Sequence, residues 1–435
     1  MKATVSLFWF RRDLRLHDNH GLYEVLKNNE AVLPIFIFDT SILDSLPKND
    51  ARVEFIHEQL TAINTSLQAH GSGLSVYHGT PEAVIEKLST EYDVSSVYYN
   101  RDYEPYALAR DQRVSDLLES KSIAFNSFKD HVIFEQNEIT KDDGLPYKVY
   151  TPFSKKWLAA FNADRCRAFH SEKLLGNTYQ SSSTPWVDLE SMGFEPNPVK
   201  VAPYKVESGI IENYEATRNF PAVDGTSKLG PHLRFGTVSV REIVSKAIQY
   251  TNNTFLKELI WREFFMQILW HFPHTVTQSF KPQYEAIKWR NDPEEYKQWC
   301  DGNTGYPLVD AGMRELNKTG FMHNRVRMLV GSFLCKHLLI DWRLGEAYFA
   351  EKLHDFELSS NVSNWQWVAG CGVDAAPYFR IFNPTTQVTN FDKEHKYIKK
   401  WVPEYQELTY PTPMVDHKFA RERCLSTYKE ALGKS

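Results

Sequence analysis

The chain has 435 residues, of which 42% are hydrophobic, and this length allows a large core divided over two or three domains. The sequence contains no apolar run of about eighteen residues, which excludes a membrane-spanning helix, and its first residues lack the cleavage site of a signal peptide. A formal net charge of −5 excludes a uniformly basic protein, so a nucleic-acid surface would have to be a local basic patch.

The cysteines and aromatic residues narrow the class of protein further. Five cysteines lie far apart in the sequence, which predicts a reduced, cytoplasmic protein without a disulfide framework, a zinc knuckle or another metal site. Aromatic residues make up 14% of the chain and include 11 tryptophans. This content has two interpretations, a large aromatic core or a bound planar cofactor or base.

The first 130 residues alternate short apolar runs with stretches of helical periodicity. Apolar runs that predict buried strands lie at 3–10, 31–39, 73–79, 94–100 and 123–130. Strands that alternate with helices predict a parallel α/β sheet with crossover connections. No GxGxxG motif follows the first strand, so the sequence lacks an ordinary dinucleotide fingerprint.

The pattern changes twice along the rest of the chain. Residues 131–204 include a stretch rich in Ser, Pro and Gly and are predicted to form an irregular connector. From residue 205 helical periodicity dominates. The expected organisation is an α/β domain at 1–130, a connector at 131–204 and an all-α domain at 205–435.

Two constellations stand early in the helical part. The segment TSKLGPHLRFGTVS at 226–239 can offer backbone N–H groups and hydroxyls to phosphates, but taken alone it favours a simple helix cap. The residues Phe255, Glu258, Trp261 and Arg262 share one helix face. A face that mixes aromatic, acidic and basic residues indicates either a pocket wall or a structural contact.

Two further constellations follow. In MHNRVRM at 322–328, Asn324, Arg327 and Met328 share a face, and Arg325 projects to one side, where a phosphate contact and a surface position are both reasonable. The segment 355–387 combines acids, asparagines, two tryptophans and an arginine. A purely structural segment rarely needs this mixture, so we interpret it as functional.

Four long motifs in this chain closely resemble the photolyase/cryptochrome family. They are WFRRDLRLHDN, ELIWREFF, TGYPLVDAGMRELNKTGFMHNRVRM and NWQWVAGCGVDAAPYFRIFNPTTQ, and the resemblance runs from about residue 5 to about residue 405. It implies an FAD bound inside the helical domain. It places the FAD-binding residues at Tyr214, Thr226, Ser227, Lys228, Leu229, Phe255, Asn324, Arg327, Asp355, Glu357 and Asn361.

The resemblance also implies light-driven DNA repair by electron transfer from excited, reduced FAD. Glu258, Asn361 and Met328 match catalytic positions. The matching positions at the lesion and the DNA backbone are Arg218, Trp261, Arg262, Asn324, Arg325, Trp367 and Arg380. Three tryptophans, Trp289, Trp342 and Trp365, match the family's electron-transfer chain from flavin to surface.

Three features favour the branch that repairs cyclobutane pyrimidine dimers, a carbon–carbon lyase activity. Asn324 and Met328 stand where photolyases for the (6-4) lesion carry His, the segment after WQW differs from the DASH branch, and no long tail follows residue 405. The alternative is a cryptochrome-like blue-light photoreceptor without repair activity. A generic flavin oxidoreductase is disfavoured because no nicotinamide fingerprint is present.

The resemblance also leads to expectations about a second chromophore, the partner and the oligomeric state. The α/β domain of the family usually binds a second, antenna chromophore, but Ala107 lies about where folate binders carry Glu, so the chromophore's identity stays open and folate is disfavoured. The partner is expected to be DNA containing pyrimidine dimers, and the protein is expected to act as a monomer.

Overall fold

A computed structural model describes residues 2–181 and 183–433, and the chain divides into two compact units. The first unit contains the described residues up to Glu135 together with Ala160–Pro203 and Leu229–Gln249. The second contains Gln136–Ala159, Tyr204–Lys228 and the described residues from Tyr250 onwards. The expected domain boundaries stay a prediction, and the units share the connector between them.

The first unit contains a five-stranded parallel sheet with the strand order β3-β2-β1-β4-β5. Its strands are β1 (Thr4–Phe10), β2 (Val32–Asp39), β3 (Ser75–Gly79), β4 (Asp93–Asn100) and β5 (Ala124–Phe128). β2 is buried along its whole length and β1 from Val5 onwards, because helices cover both faces of a parallel sheet. The predicted α/β fold is therefore confirmed.

Helices connect and flank these strands. The crossover helices are His20–Asn28, Thr40–Leu43, Ala51–Gln68, Pro81–Glu91 and Pro105–Ser120. The unit also contains the helices Gly230–Arg234 and Val240–Ala247, with short 3-10 helices at Ala163–Cys166, Ser171–Asn177 and Glu190–Met192.

A buried charge network in the first unit contains two polar residues of the first motif, Arg15 and Asp18. The Arg15 guanidinium lies 2.7 Å from the Asp130 carboxylate, and Arg241 lies 2.9 Å from Asp18 and 2.8 Å from Asp130. Burial opposes the charge on Asp130, but the two arginines lower the pKa of its carboxyl well below the ordinary value. The network joins the start of the chain to the helix Val240–Ala247.

The second unit is helical, as predicted. Its α-helices are Tyr150–Ala160, Ser208–Thr217, Thr254–His271, Pro293–Asp301, Pro307–Thr319, Asn324–Ser332, Trp342–Lys352, Leu358–Ala369, Pro384–Phe391, Lys396–Trp401 and His417–Ala431. A π-helix at Phe333–His337 and 3-10 helices at Pro273–Val276 and Pro282–Ala286 complete the unit. In the ranges that the structure describes, no helix is both long and apolar enough to cross a membrane.

Trp365 lies at the centre of the second unit's core, where it is 3% exposed. Two glycines allow neighbouring helices to approach its ring. A Cβ added at Gly345 would lie 2.2 Å from the Trp365 ring, and one added at Gly331 would lie 3.6 Å from it. The tight contact at Gly345 fixes the position of the helix Leu358–Ala369 against the helix Trp342–Lys352.

We expect Gly345→Ala to lower the free energy of unfolding by about 1–3 kcal/mol, because the added methyl group overlaps the Trp365 ring and Leu334. Gly209→Ala is the control, since a Cβ there meets nothing within 4 Å, and it should leave stability unchanged or raise it by up to about 1 kcal/mol. Urea unfolding followed by circular dichroism measures both. Equal stabilities for the two variants would contradict the packing argument.

Candidate functional site

A cleft in the second unit brings together many of the residues that the sequence singled out. The helices Asn324–Ser332 and Leu358–Ala369 form two of its walls, and the loop before the second helix contributes the acids. Phe349, Leu353 and Val368 add apolar surface. The predicted residues that line this cleft are Asn324, Arg327, Met328, Asp355, Glu357, Asn361, Trp365 and Trp367.

An ion pair stands in the cleft wall. The two terminal nitrogens of Arg327 lie 3.1 and 2.8 Å from the two carboxylate oxygens of Asp355. The Arg327 Nε also donates to the Met322 carbonyl oxygen at 2.7 Å. A guanidinium bound on two edges is held in one plane, so the cleft presents a fixed positive charge beside a fixed negative one.

Asn361 lines the cleft, and its side-chain amide nitrogen is hydrogen-bonded to Glu346. Its Nδ2 donates to the Glu346 backbone oxygen at 3.0 Å and to the Glu346 carboxylate at 2.9 Å. Burial raises the pKa of Glu346, while the Asn361 hydrogen bond opposes this shift. With the amide nitrogen engaged, the amide oxygen is the polar atom of this side chain that remains to accept a hydrogen bond. No motif or periodicity marked Glu346, which lies on the helix Trp342–Lys352.

The three predicted electron-transfer tryptophans share one core. Trp365 and Trp342 are buried, and Trp289 is half-buried at the edge of the same cluster. The Trp365 ring contacts Phe349 edge-on at 4.9 Å between centroids and Trp299 at 6.2 Å. Trp299 was not among the predicted residues.

A second cluster forms around the start of the helix Thr254–His271. Arg218 makes an ion pair with Glu258, and the same guanidinium lies 5.4 Å from the centre of the Tyr214 ring. Tyr214 in turn meets the buried Phe255 edge-on at 5.3 Å. Burial, with the Glu258 carboxylate as a second cause, raises the pKa of Tyr214 to about 12. Four predicted residues therefore contact one another here.

Trp261 belongs to an aromatic stack that the sequence did not reveal. Its ring lies parallel to the Tyr150 ring, with 3.6 Å between centroids and 6° between planes. The Tyr150 hydroxyl donates to the Lys257 carbonyl at 2.8 Å, and its backbone N–H donates to the Asp374 carboxylate at 3.0 Å. Burial is the main reason that the pKa of Tyr150 is raised well above its ordinary value. Tyr150 lies in the connector, where no periodicity marked it.

Three of the predicted arginines form a local positive region. Burial lowers the pKa of Arg325, and the charges of Arg218 and Arg380 lower it further, so the three side chains lie close enough to repel one another. Arg325 also donates to the Asn219 amide oxygen at 2.5 Å and lies 4.4 Å from the centre of the Phe391 ring. The fourth, Arg262, is half-buried on the helix Thr254–His271.

A buried lysine fixes the segment that carries Arg380. Lys336 is 1% exposed, and its Nζ donates to the Arg380 backbone oxygen at 2.8 Å. Burial lowers the pKa of Lys336 to about 8. A buried hydrogen bond therefore holds the backbone of Arg380, while the Arg380 side chain is exposed.

The predicted phosphate loop ends at the boundary between the units. Thr226, Ser227 and Lys228 are half-buried in the second unit, and Lys228 has a left-handed backbone with φ 57°. The Lys228 ammonium lies 3.5 Å from the centre of the Phe321 ring, and burial lowers its pKa. Leu229 belongs to the first unit, where it is buried and precedes the helix Gly230–Arg234.

Two family models match the chain. The model described as the FAD binding domain of DNA photolyase matches residues 255–409, which include both Trp261 and the cleft. The model described as DNA photolyase matches residues 6–171.

The chain is similar over nearly its whole length to curated deoxyribodipyrimidine photo-lyases. It is 36% identical to that of Agrobacterium fabrum, with 98% of each chain covered, and 35% identical to that of Escherichia coli, with 98% of this chain and 99% of the relative covered.

Two solved structures share the fold. One is a bacterial class III photolyase from Agrobacterium tumefaciens, with a TM-score of 0.89, 34% identity, and 100% of this chain and 98% of that chain covered. The other is an archaeal photolyase from Sulfolobus tokodaii with two FAD molecules, with a TM-score of 0.80, 31% identity, and coverage of 98% and 100%.

The Tyr150–Trp261 stack predicts an energetic coupling between the two side chains. We expect Tyr150→Leu and Trp261→Leu to be non-additive, with a coupling free energy of about 0.5–1.5 kcal/mol, because each change removes the same ring contact. Urea unfolding of both single variants and the double variant measures it. Tyr150→Phe is the matched control: it keeps the ring, loses only the bond to Lys257 and should retain the coupling. Additive losses would show that the rings do not stabilise each other.

Proposed function

Because the chain belongs to the DNA photolyase family, we propose that it repairs cyclobutane pyrimidine dimers in DNA when illuminated, by electron transfer to the lesion. Relatives matched over 98% of this chain establish an enzyme of the photolyase type, with an FAD-binding domain. The observation that carries the choice of lesion is the cleft itself, where Asn324 and Met328 lie beside Asn361. Neither is a His, so no imidazole there supplies the acid–base chemistry that a (6-4) lesion needs.

The residues of the cleft fit a flavin. A planar ring with polar edges requires donors and acceptors in its plane and apolar contacts on its faces. Arg327 with Asp355 and the Asn361 amide supply the former, while Phe349 and Val368 supply the latter. We infer that these residues hold the ring system and that Tyr214, Thr226, Ser227, Lys228, Leu229, Phe255, Asn324 and Glu357 hold the rest of the FAD. When bound in its reduced form, FAD supplies the photoexcited electron.

Asn361 is assigned to the flavin edge. Because Glu346 holds its amide nitrogen, the amide oxygen can accept a hydrogen bond without adding a full negative charge. This arrangement favours a negatively charged reduced ring over one neutralised by a proton, since a carboxylate at the same place would repel the charge.

The lesion is assigned to the residues around Glu258. Trp261 and Trp367 would contact the flipped bases through their faces, as stacked bases require. The ion pair with Arg218 orients the Glu258 carboxyl group, and Met328 and Asn324 complete the pocket. Arg218, Arg325 and Arg380, together with Arg262, would contact DNA phosphates that flank the lesion. These contacts would make DNA binding salt-dependent although the net charge of the chain is negative.

Four expectations stay predictions beside this proposal. The Sulfolobus tokodaii photolyase has two FAD molecules, which keeps a second chromophore in the proposal for this chain. A cryptochrome of Synechocystis shares the fold with a TM-score of 0.83 and 25% identity, so a photoreceptor without repair activity is the alternative. The monomeric state and the cytoplasmic location are expected from the sequence alone.

The test is a repair assay with the FAD-loaded, chemically reduced protein and two DNA substrates. We expect light-dependent recovery of thymine absorbance from DNA with a cyclobutane dimer and none from DNA with a (6-4) photoproduct. Glu258→Ala should lower repair per photon by about 10-fold or more, because the reduced dimer loses a hydrogen bond, while FAD content stays normal. Glu294→Ala, an exposed carboxylate outside both clusters, is the control and should repair normally.

Each failure in that assay has a separate meaning. DNA binding without repair of either substrate would favour the photoreceptor, and repair of the (6-4) product alone would overturn the choice of lesion. Full repair by Glu258→Ala would remove Glu258 from the mechanism.

Trp365→Phe tests the electron-transfer chain. We expect the variant to lose light-driven reduction of its oxidised flavin, because phenylalanine is much harder to oxidise than tryptophan, and to keep repair once the flavin is reduced with dithionite. Absorbance at the flavin bands under blue light follows the reduction. The control is Trp401→Phe, at the edge of the same core. Normal photoreduction in Trp365→Phe would refute the assigned chain.

A further inference from the structure

The Trp261 ring has one face covered by the protein. The residue is half-buried on the helix Thr254–His271, and the Tyr150 ring lies parallel to the Trp261 ring with 3.6 Å between their centres. Phe264 contacts the same ring edge-on at 5.6 Å, and Phe265 contacts it at 5.3 Å. Tyr150 is 8% exposed, so it supports the Trp261 ring from inside the protein. The face that Tyr150 leaves open is the one on which a flipped base could stack.

Tyr150 is held at its hydroxyl and at its backbone. The hydroxyl donates to the Lys257 carbonyl at 2.8 Å. Lys257 precedes Trp261 by four residues, so this carbonyl is the one that an α-helix provides for the Trp261 N–H. The Tyr150 backbone N–H donates at 3.0 Å to the carboxylate of Asp374, which has a left-handed backbone and lies six residues before Arg380. Tyr150 is thus bonded both to the helix of Trp261 and to the segment of Arg380.

Two charged groups of the proposed lesion pocket act on the Tyr150 hydroxyl. Burial raises the pKa of Tyr150, the Glu258 carboxylate raises it further, and the Arg218 guanidinium lowers it. Because Coulomb interactions weaken with distance, the ion pair of Glu258 with Arg218 lies near this hydroxyl. Tyr150 therefore neighbours two groups that the proposal assigns to the lesion, the Trp261 ring and the Glu258 carboxylate.

We propose that Tyr150 is a positioning residue that makes the lesion pocket selective for dimer-containing DNA over undamaged DNA, an inference that rests on the proposed repair function. It acts through Trp261, because the stack fixes the plane of the indole ring before a dimer arrives. A ring that could turn freely would have to be ordered on binding, which lowers affinity. Undamaged DNA keeps its bases in the duplex and gains nothing from the orientation of this ring.

The test measures binding of the FAD-loaded protein, in the dark, to two fluorescein-labelled duplexes that differ only in one thymine dimer. Tyr150→Leu should weaken binding of the dimer duplex by about five- to tenfold and binding of the undamaged duplex by less than about twofold, because only the stacking contact is impaired. Fluorescence anisotropy measures both affinities. Tyr150→Phe keeps the ring and should keep the selectivity.

Phe153→Leu is the matched control for a merely structural role. Phe153 lies on the same helix, Tyr150–Ala160, and packs against Phe264 at 5.3 Å between ring centres. Its truncation loosens the same core but leaves the stack of Tyr150 in place, so the selectivity should stay that of the unmodified protein. If Tyr150→Leu loses FAD, Tyr150→His takes its place, and its smaller flat ring should give an intermediate loss of dimer affinity.

Two further measurements show whether the effect passes through Trp261. In a Trp261→Leu background, Tyr150→Leu should cause no further loss of dimer affinity, since the ring that it positions is already absent. At saturating dimer DNA, light-driven repair by Tyr150→Leu should stay within about twofold of that by the unmodified protein, because the residue sets binding rather than electron transfer.

The positioning role would be overturned by unchanged dimer affinity in Tyr150→Leu, by equal losses for the two duplexes, or by a full second loss in the Trp261→Leu background. Loss of selectivity in Phe153→Leu would overturn it as well, since any loosening of the core would then have the same effect. If the unmodified protein binds both duplexes equally, the proposed lesion pocket fails, and the role of Tyr150 fails with it. Selective binding that Tyr150→Leu leaves intact would overturn the positioning role alone.

Discussion

The contact of Trp365 with the two glycines is the constraint on which the second unit's site depends. The Trp365 ring lies where a side chain at 345 would otherwise be, and a Cβ at 331 would meet the ring at an ordinary contact distance of 3.6 Å, so the helices that carry Gly345 and Gly331 both pack against it. The helix Leu358–Ala369 is thereby held in one register, with Trp365 packed in the core and also reaching the cleft that Asn361 and Trp367 line. Because packed cores shift in steps rather than continuously, a displaced Trp365 would move both cleft residues together.

Around this fixed helix, the polar groups of the site are arranged in pairs that restrain each other. Arg327 is held by Asp355, Asn361 by Glu346 and Glu258 by Arg218. Each partner fixes the orientation of a side chain that faces the cleft or the proposed lesion pocket. Preorganised groups of this kind need not reorient when charge moves in the site, which is how a protein contributes to a reaction that its cofactor carries out.

Sequence reasoning identified the features that depend on residues close together in the chain, such as apolar runs and helix-face motifs. The buried strands were visible as apolar runs, and the motif at 322–328 places three residues in the cleft because residues three and four apart share a helix face. The partners Tyr150, Glu346 and Trp299 were missed, because each reaches its contact from another part of the chain. Their positions depend on tertiary packing, which no periodicity encodes.

The face of the helix Thr254–His271 shows the same limit. Its four mixed residues were interpreted together, yet the structure gives three of them different neighbours: Phe255 meets Tyr214, Glu258 meets Arg218 and Trp261 meets Tyr150. Spacing established that they lie on one side of a helix. What they contact was set by the connector and by the helix Ser208–Thr217, whose approach the spacing does not describe.

The buried Lys336 links the stability of the fold to its electrostatics. Its pKa of about 8 lies below the ordinary value of 10.5, so the folded chain releases this proton more readily than the unfolded chain does. As pH rises from about 8 towards 10.5, the cost of keeping a cation in the core disappears, and this residue's contribution to stability becomes more favourable. Over the same interval the segment of Arg380 loses the positive charge beneath it. Alkaline conditions should therefore make the contribution of Lys336 to folding more favourable. They should also weaken the attraction for phosphate of the surface around Arg380. Both effects follow from the loss of one proton.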